Sequence, residues 1–295
     1  MLKQRVITAV ILIALLLGAI LAPTPWALVL ILCVMASCAV WEWLRLSSSD
    51  KTALPVVVAV LFAAGTLFYA QQWISAEQAG LQHSSWFVLI APVVLMYWVV
   101  GVGVMLALAQ TEKRQSRMAL SLFGVASIAV AWAALVDMWL YRGAWYLLSV
   151  LIVVWVADIT AYFTGKAFGK RKLAPRISPG KTWAGFSGGV LGVVLWVLIS
   201  AQWAGSFGAE LVQNWSWFGA VVFAVILAVF SVVGDLFESL LKRRAGYKDS
   251  SQLLPGHGGV LDRIDALIPV APLAAFMAGP WLNALVAAPI GAGGL

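Results

Sequence analysis

Residues 217–265 read WFGAVVFAVILAVFSVVGDLFESLLKRRAGYKDSSQLLPGHGGVLDRID. The first part, Trp217 to Phe237, is an apolar run about as long as a helix needs to cross a bilayer, which takes about 20 residues. Its second part, from Ser231 to Asp265, packs ten ionisable side chains and one histidine into a chain that is elsewhere greasy. The stretch therefore reads as a membrane-spanning helix that runs out into a polar loop.

The rest of the chain agrees with a membrane setting. Of 295 residues, 63% are hydrophobic and 11% charged, against roughly 25% charged in soluble proteins. Helices satisfy their own backbone inside lipid, and the short alternating segments of a barrel are absent, so the expected class is an all-α, polytopic integral membrane protein. Cys33 and Cys38 sit in one apolar run and read as small hydrophobes.

Nine apolar runs are candidate spans: Val6–Ala22, Trp26–Val40, Pro55–Trp73, Trp86–Ala109, Met118–Leu140, Trp145–Gly165, Trp183–Trp203, Trp217–Phe237 and Ile268–Pro289. The second is short and extends through Trp41 to Leu46. The first resembles a signal peptide in its basic start, but it is long for one, and Ile20 is a poor match to a small-residue cleavage pattern. Basic residues should gather in every second loop if the spans are right. Two lie at the N-terminus, two near Arg45 and Lys51, three at Lys113–Arg117, six at Lys166–Lys181 and five at Lys242–Arg263; Arg142 alone falls on the other side. The distribution predicts about nine transmembrane helices with the N-terminus cytoplasmic and the C-terminus outside. It also accounts for the net charge of +7 as topology, so no nucleic acid is expected as a partner. Trp26, Trp41, Trp43, Trp73, Trp86, Trp145, Trp203, Trp215 and Trp217 fall at span ends, as an interfacial belt requires. With no repeat or soluble segment, residues 1–295 form a single transmembrane domain. Spans fill about 1–150, and a C-terminal half, about 151–295, carries cytoplasmic loops at 166–182 and 238–267.

Chemistry concentrates in those two loops. Asp158 lies within a span, where ionisable residues are expensive and a functional role is the default, although pairing with a neighbouring helix is the plain alternative. Tyr162 and Lys166 follow at one and two turns, on the same face. The segment GKRKLAPRISPGKTWAGFSGG ends like a P-loop, but Pro175 stands where that motif needs glycine. Six basic residues, a turn at Ser178-Pro179 and a helix start at Lys181-Thr182 suit phosphate groups, and equally a topology-setting cluster against anionic lipid. Asp235, Glu238, Ser239 and Lys242 recur at i, i+3, i+4 and i+7, so two carboxylates, a hydroxyl and an ammonium share one helix face. Asp262 and Asp265 flank Arg263 twenty residues further on. Carboxylates from two segments suit a hard cation such as Mg²⁺, and His257 alone offers too little for zinc. Between them, the glycines of Pro255-Gly256-His257-Gly258-Gly259 let the backbone approach a phosphate and aim its N–H groups at it.

Ser239 to Asp265 resembles the signature of the phosphatidate cytidylyltransferases, or CDP-diacylglycerol synthases. It runs Ser239-x-Leu241-Lys242-Arg243, Lys248-Asp249-x-Ser251, Leu254-Pro255-x-His257-Gly258-Gly259 and Val260-x-Asp262-Arg263-Ile264-Asp265 without departure. Gly234-Asp235 and Ser178-Pro179-x-Lys181-Thr182 extend the resemblance, whereas the first 150 residues match only as hydrophobic spans. It implies transfer of a cytidylyl group from CTP to phosphatidic acid at the cytoplasmic face of the bacterial inner membrane, giving CDP-diacylglycerol and pyrophosphate. It further implies Mg²⁺ on Asp235 and Asp262, with a monovalent cation such as K⁺ nearby. Lys242, Arg243, His257 and Asp265 are the remaining expected catalytic residues. Ser239, Lys248, Asp249, Gly258, Gly259, Arg263, Ser178, Lys181, Thr182 and Asp158 are expected to bind substrate.

Three other readings remain. An ion-coupled transporter would use Asp158 and Asp235 but leaves PGHGG and DRID idle, and a lipid-binding scaffold explains the basic loops alone. A lipid kinase, or a synthase using CTP on another phosphorylated lipid, is the nearer alternative. Gly101 and Gly103 favour close helix packing within one chain or between two, so a homodimer stays open.

Overall fold

In the computed structural model, residues 2–48, 53–79, 87–112 and 118–279 are described. The elements are α1 (Leu2–Ile20), α2 (Trp26–Ser47), α3 (Ala53–Gln78), α4 (Phe87–Tyr97), α5 (Gly103–Leu108), α6 (Met118–Asp137), α7 (Ala144–Phe168), β1 (Lys172–Ala174), β2 (Ser178–Thr182), α8 (Trp183–Ser200), α9 (Phe207–Ala245), α10 (Leu261–Ile264) and α11 (Leu267–Ala278). Wider π turns join α4 to α5 and extend α6. The protein is an all-α polytopic membrane protein. Among the described residues, seven helices are long and apolar enough to cross a bilayer. The first expected span is α1, whose apolar part is the shorter Val10–Ile20. The ninth begins as α11, and its remainder to Pro289 lies outside the described residues, as do Trp86, Lys51 and the Lys113–Arg117 cluster.

Two boundaries differ from the sequence expectation. The span expected from Trp217 is preceded by a further helical segment from Phe207, with a break at Ser216 (φ 63°). Apolar periodicity cannot register such a break, because it depends on one residue's backbone. The segment 178–182 is a strand instead of a turn: β1 and β2 pair antiparallel, Lys172 with Thr182 and Ala174 with Ser178. The tryptophan belt also needs correcting. Trp203 and Trp217 are exposed as anchors should be, but Trp43 and Trp73 are buried. Trp43 donates from Nε1 to Leu120 O at 3.0 Å and lies against Gly124, where a Cβ would come 1.8 Å from that nitrogen.

Small residues let the helices around the polar loops approach closely, since lipid gives apolar side chains no reason to associate and packing must do so. At the crossing of α7 and α8, a Cβ on Gly188 would meet Thr164 Oγ1 at 2.0 Å and one on Gly192 would meet Thr160 Oγ1 at 2.5 Å. Gly101 lies against the Tyr97 ring, which accounts for it within one chain. At the crossing of α9 and α11, a Cβ on Gly234 would lie 2.5 Å from Asp265 O. That approach brings Asp235 beside Asp265.

Candidate functional site

The site begins with two helix ends. The Thr182 side chain caps α8, accepting from Gly185 N at 3.1 Å; this satisfies one of the free N–H groups of the first turn and fixes Lys181 one residue earlier. Gly246 stops α9 in a left-handed conformation (φ 78°), with its N–H on Arg243 O and the Tyr247 N–H on Lys242 O. A glycine in this role is the common way to end a helix, and here it ends α9 one turn past Lys242. Arg244, buried, turns away from the site and donates from Nε to Gln110 O at 2.8 Å.

The i, i+3, i+4, i+7 stripe on α9 divides between two ionic groups. Near the middle of the bundle end, Lys181 pairs with Asp235, Ser239 Oγ lies 3.4 Å from Asp235 Oδ1, and Asp158 and Asp265 feel the charge of Asp235 and Lys181. One turn further, Lys242 Nζ is 2.6 Å from both Glu238 Oε2 and Asp262 Oδ1. Glu238 is only 1% exposed at its side chain, so an ammonium must accompany it, because an isolated buried charge costs several kcal/mol.

Asp262 is the hub of the second group. Besides Lys242, it accepts at Oδ2 from Ser250 N at 2.9 Å, Ser250 Oγ at 2.9 Å and Gly259 N at 2.8 Å. Burial alone would raise this carboxyl. Its contacts with Glu238 and Lys242 and the Gly259 N–H outweigh that and hold it down at about 2. Asp265 goes the other way: burial and the neighbouring Asp235 and Asp158 push its carboxyl well above the usual range, against the Ala266 N–H and Lys181.

The Gly-rich turn does not do all that its sequence suggested. The Gly259 N–H is spent on Asp262, and the Val260 and Leu261 N–H groups point to Glu42, so these three amides face the chain's own carboxylates and leave none of themselves for a phosphate. Gly258 is needed for its positive φ of 82° and because a Cβ there would meet Asp262 Oδ2 at 2.8 Å. Arg263 donates from Nε and Nη2 to His257 O at 3.1 and 2.7 Å, which closes the turn, while His257 Nδ1 is buried with no partner among the described residues. Arg243, Lys248 and Asp249 are exposed around the rim, and Ser178 lies at the start of β2. The structure thus brings Asp158, Asp235, Ser239, Lys181 and Asp265 into one cluster and Glu238, Lys242, Asp262 and Gly259 into a second.

Sequence reading missed Glu42. This fully buried residue of α2 accepts from Ser250 Oγ at 3.1 Å, Val260 N at 3.0 Å, Leu261 N at 2.5 Å and the Ser251 hydroxyl. The one available signal was a carboxylate between Trp41 and Trp43 inside an extended span, where ionisable residues carry a functional presumption.

For a cation, chemistry and geometry give different answers. Five carboxylates (Asp158, Asp235, Glu238, Asp262, Asp265) face Lys181 and Lys242 across the two clusters. The donors are all hard oxygens, so the set fits Mg²⁺. Among the described residues, no three His, Cys, Asp or Glu side chains converge on one point. That leaves room for the usual Mg²⁺ arrangement, with one or two carboxylates and the remaining positions filled by substrate and water.

The site is thus a membrane-embedded polar cluster of cations and carboxylates, built from a helix stripe and a Gly-rich turn. The chain belongs to the cytidylyltransferase family, whose model matches residues 3–279, and it is a nucleotidyltransferase. It is 35% identical over 284 residues to the phosphatidate cytidylyltransferase of Haemophilus influenzae, covering 92% of this chain and 96% of that one. It is 39% identical over 284 residues to the phosphatidate cytidylyltransferase of Pseudomonas aeruginosa, covering 92% and 95%. A phosphatidate cytidylyltransferase of Thermotoga maritima is 42% identical over 153 residues, 51% of this chain and 56% of that one.

Proposed function

We propose that this protein transfers the cytidylyl group of CTP to phosphatidic acid, releasing pyrophosphate and leaving CDP-diacylglycerol in the cytoplasmic leaflet of a bacterial inner membrane. The observation that carries the reading is the placement of the signature residues on one polar end of an apolar helical bundle, where a lipid phosphate and a soluble nucleotide can meet. The names of the relatives support the choice of substrates.

A phosphate monoester has a second pKa of about 6 and is largely dianionic at neutral pH, so the lipid oxygen needs no general base. It attacks the α-phosphorus of CTP as the bond to the pyrophosphate oxygen breaks in line. The obstacle is the mutual repulsion of two polyanions. Lys181 and Lys242, held by their carboxylates, and Arg263, held on His257 O, are fixed positive charges for this purpose, and Lys248 and Arg243 add mobile ones at the rim. Fixed charges that need no reorganisation are the larger contribution to such a step. Asp235 and Asp262 would hold Mg²⁺, which when bound supplies charge neutralisation and orientation for the phosphates; the same hard oxygens would also suit a monovalent cation such as K⁺. His257, whose Nδ1 is buried, would hydrogen-bond a phosphate oxygen through Nε2.

The test is purified protein in detergent with labelled CTP, Mg²⁺ and phosphatidic acid. Labelled CDP-diacylglycerol and free pyrophosphate are expected. Release of CDP with a newly phosphorylated lipid would indicate a kinase instead, and absence of any labelled lipid from protein that still binds CTP would overturn the proposal.

A further inference from the structure

We propose that Glu42 is a positioning residue for this reaction: it fixes the Ser250–Leu261 turn from the N-terminal half of the molecule, and so sets where Asp262 and Lys242 stand. The inference rests on the cytidylyl-transfer reading above, but the observations behind it are separate.

Glu42 is 0% exposed and sits on a helix that is itself locked in place. Its neighbour Trp43 is hydrogen-bonded to Leu120 O and has its ring 5.8 Å from that of Phe237, on the same helix as Lys242. Ser47 Oγ and Ser121 Oγ, 2.9 Å apart, tie α2 to α6 a turn later. The Glu42 carboxylate is therefore a fixed point, and everything it touches in the turn is a donor: two hydroxyls and two backbone N–H groups, shared between Oε1 and Oε2. Only a group that accepts on both oxygens fits such a set, and glutamine, with one carbonyl oxygen and an NH₂ donor, does not.

The link to the reaction runs through Ser250. Its Oγ lies 3.1 Å from Glu42 Oε2 and 2.9 Å from Asp262 Oδ2. One hydroxyl carries one proton, so Ser250 serves the two carboxylates in alternation while its N–H stays on Asp262. Gly259 completes the arrangement from the other side, since a Cβ there would come 2.0 Å from Ser250 Oγ and 2.5 Å from Glu42 Oε1. The chain of contacts is Glu42, Ser250, Asp262, Lys242, Glu238, and it joins a helix of the N-terminal half to the ionic cluster on α9. Positioning groups of this kind typically change activity or ligand affinity by about 10- to 100-fold when removed.

The experiment compares wild type, Glu42→Asp and Glu42→Gln in detergent, with turnover expressed per folded molecule. Expected for Glu42→Gln is a kcat lower by about 10- to 100-fold, a smaller change in KM for CTP, and faster deuterium exchange at Val260 and Leu261 with transmembrane helices still protected. Glu42→Asp, which keeps both acceptors on a shorter arm, should retain more activity than Glu42→Gln. Wild-type kcat in Glu42→Gln, or equal loss in both variants, overturns the proposal. Should Glu42→Gln fail to fold, Ser251→Ala removes a single donor, and unchanged kcat together with unchanged exchange at Val260 would count against it. If the wild-type control makes no CDP-lipid, the reaction is wrong, and the exchange data still decide whether Glu42 holds the turn.

Discussion

Lys242 has two carboxylates at 2.6 Å, and this sets what its removal must do. Lys242→Met leaves Glu238 and Asp262 facing each other at the end of α9. Breaking a buried pair from one side costs about 3–5 kcal/mol, so thermal unfolding in detergent should fall markedly and turnover by at least about 100-fold. Adding Glu238→Gln to Lys242→Met should not recover turnover, because the cation is still missing. Asp262 offers a pH test with a defined sign. Its carboxyl is held at about 2 against an ordinary 3.8, so its stabilising contribution is complete above the ordinary value and disappears as pH falls through the folded one. The difference in unfolding temperature between wild type and Asp262→Asn should be constant from about pH 8 to 5 and shrink below about pH 4. A gap that changes between pH 8 and 5 would mean another group carries the linkage. The α9 stripe was legible in the sequence because helical spacing is local. Glu42 was not, because its partners lie 208 to 219 positions away and no pattern along the chain connects them.

At the scale of elements, the close crossings determine whether the two ionic clusters stay in register. Gly234 precedes Asp235, and its missing Cβ is what lets α9 lie on the backbone of Asp265 and Ala266, where a Cβ would come within 2.5 and 3.0 Å. Backbone cannot rotate aside as a side chain can. Gly234→Ala should therefore shift α9 against α11, destabilise by about 1–3 kcal/mol as overpacking does, and lower turnover while membrane insertion persists. Gly103→Ala, with nothing within 4 Å of the added carbon, is the matched control and should change neither unfolding temperature nor turnover. Sequence predicted these helices from apolar runs, yet it could not say which glycines face a neighbour. The hairpin β1–β2 was equally hidden, because Ser178-Pro179-Gly180 reads as a turn and becomes a strand only by pairing with Lys172–Ala174.

For the whole molecule, helix length relates the site to the lipid. Counting from Trp217 at about 1.5 Å per residue, Asp235 lies about 27 Å and Lys242 about 38 Å along the helix, and the hydrocarbon core is about 30 Å thick. With Trp217 at one interface, Asp235 then meets the far hydrocarbon boundary and Lys242 the headgroup layer, the depth at which a lipid phosphate sits. Arg142 pairs with Glu210 in the helical segment before the break at Ser216. The uneven distribution of basic residues predicts that the Lys242 end faces the cytoplasm, and the proposed use of CTP, a cytosolic nucleotide, predicts the same. Single cysteines decide it. Gln252→Cys, in the exposed part of the signature loop, and Gln202→Cys, in the exposed connection between α8 and α9, should be reached from opposite sides. In intact spheroplasts a membrane-impermeant maleimide should modify the cysteine at 202 and leave the one at 252 until the membrane is opened. Cys33 and Cys38 lie within α2 and set the background. Labelling at 252 in sealed spheroplasts would turn the molecule over and place the site away from its nucleotide, which no rearrangement of side chains could repair.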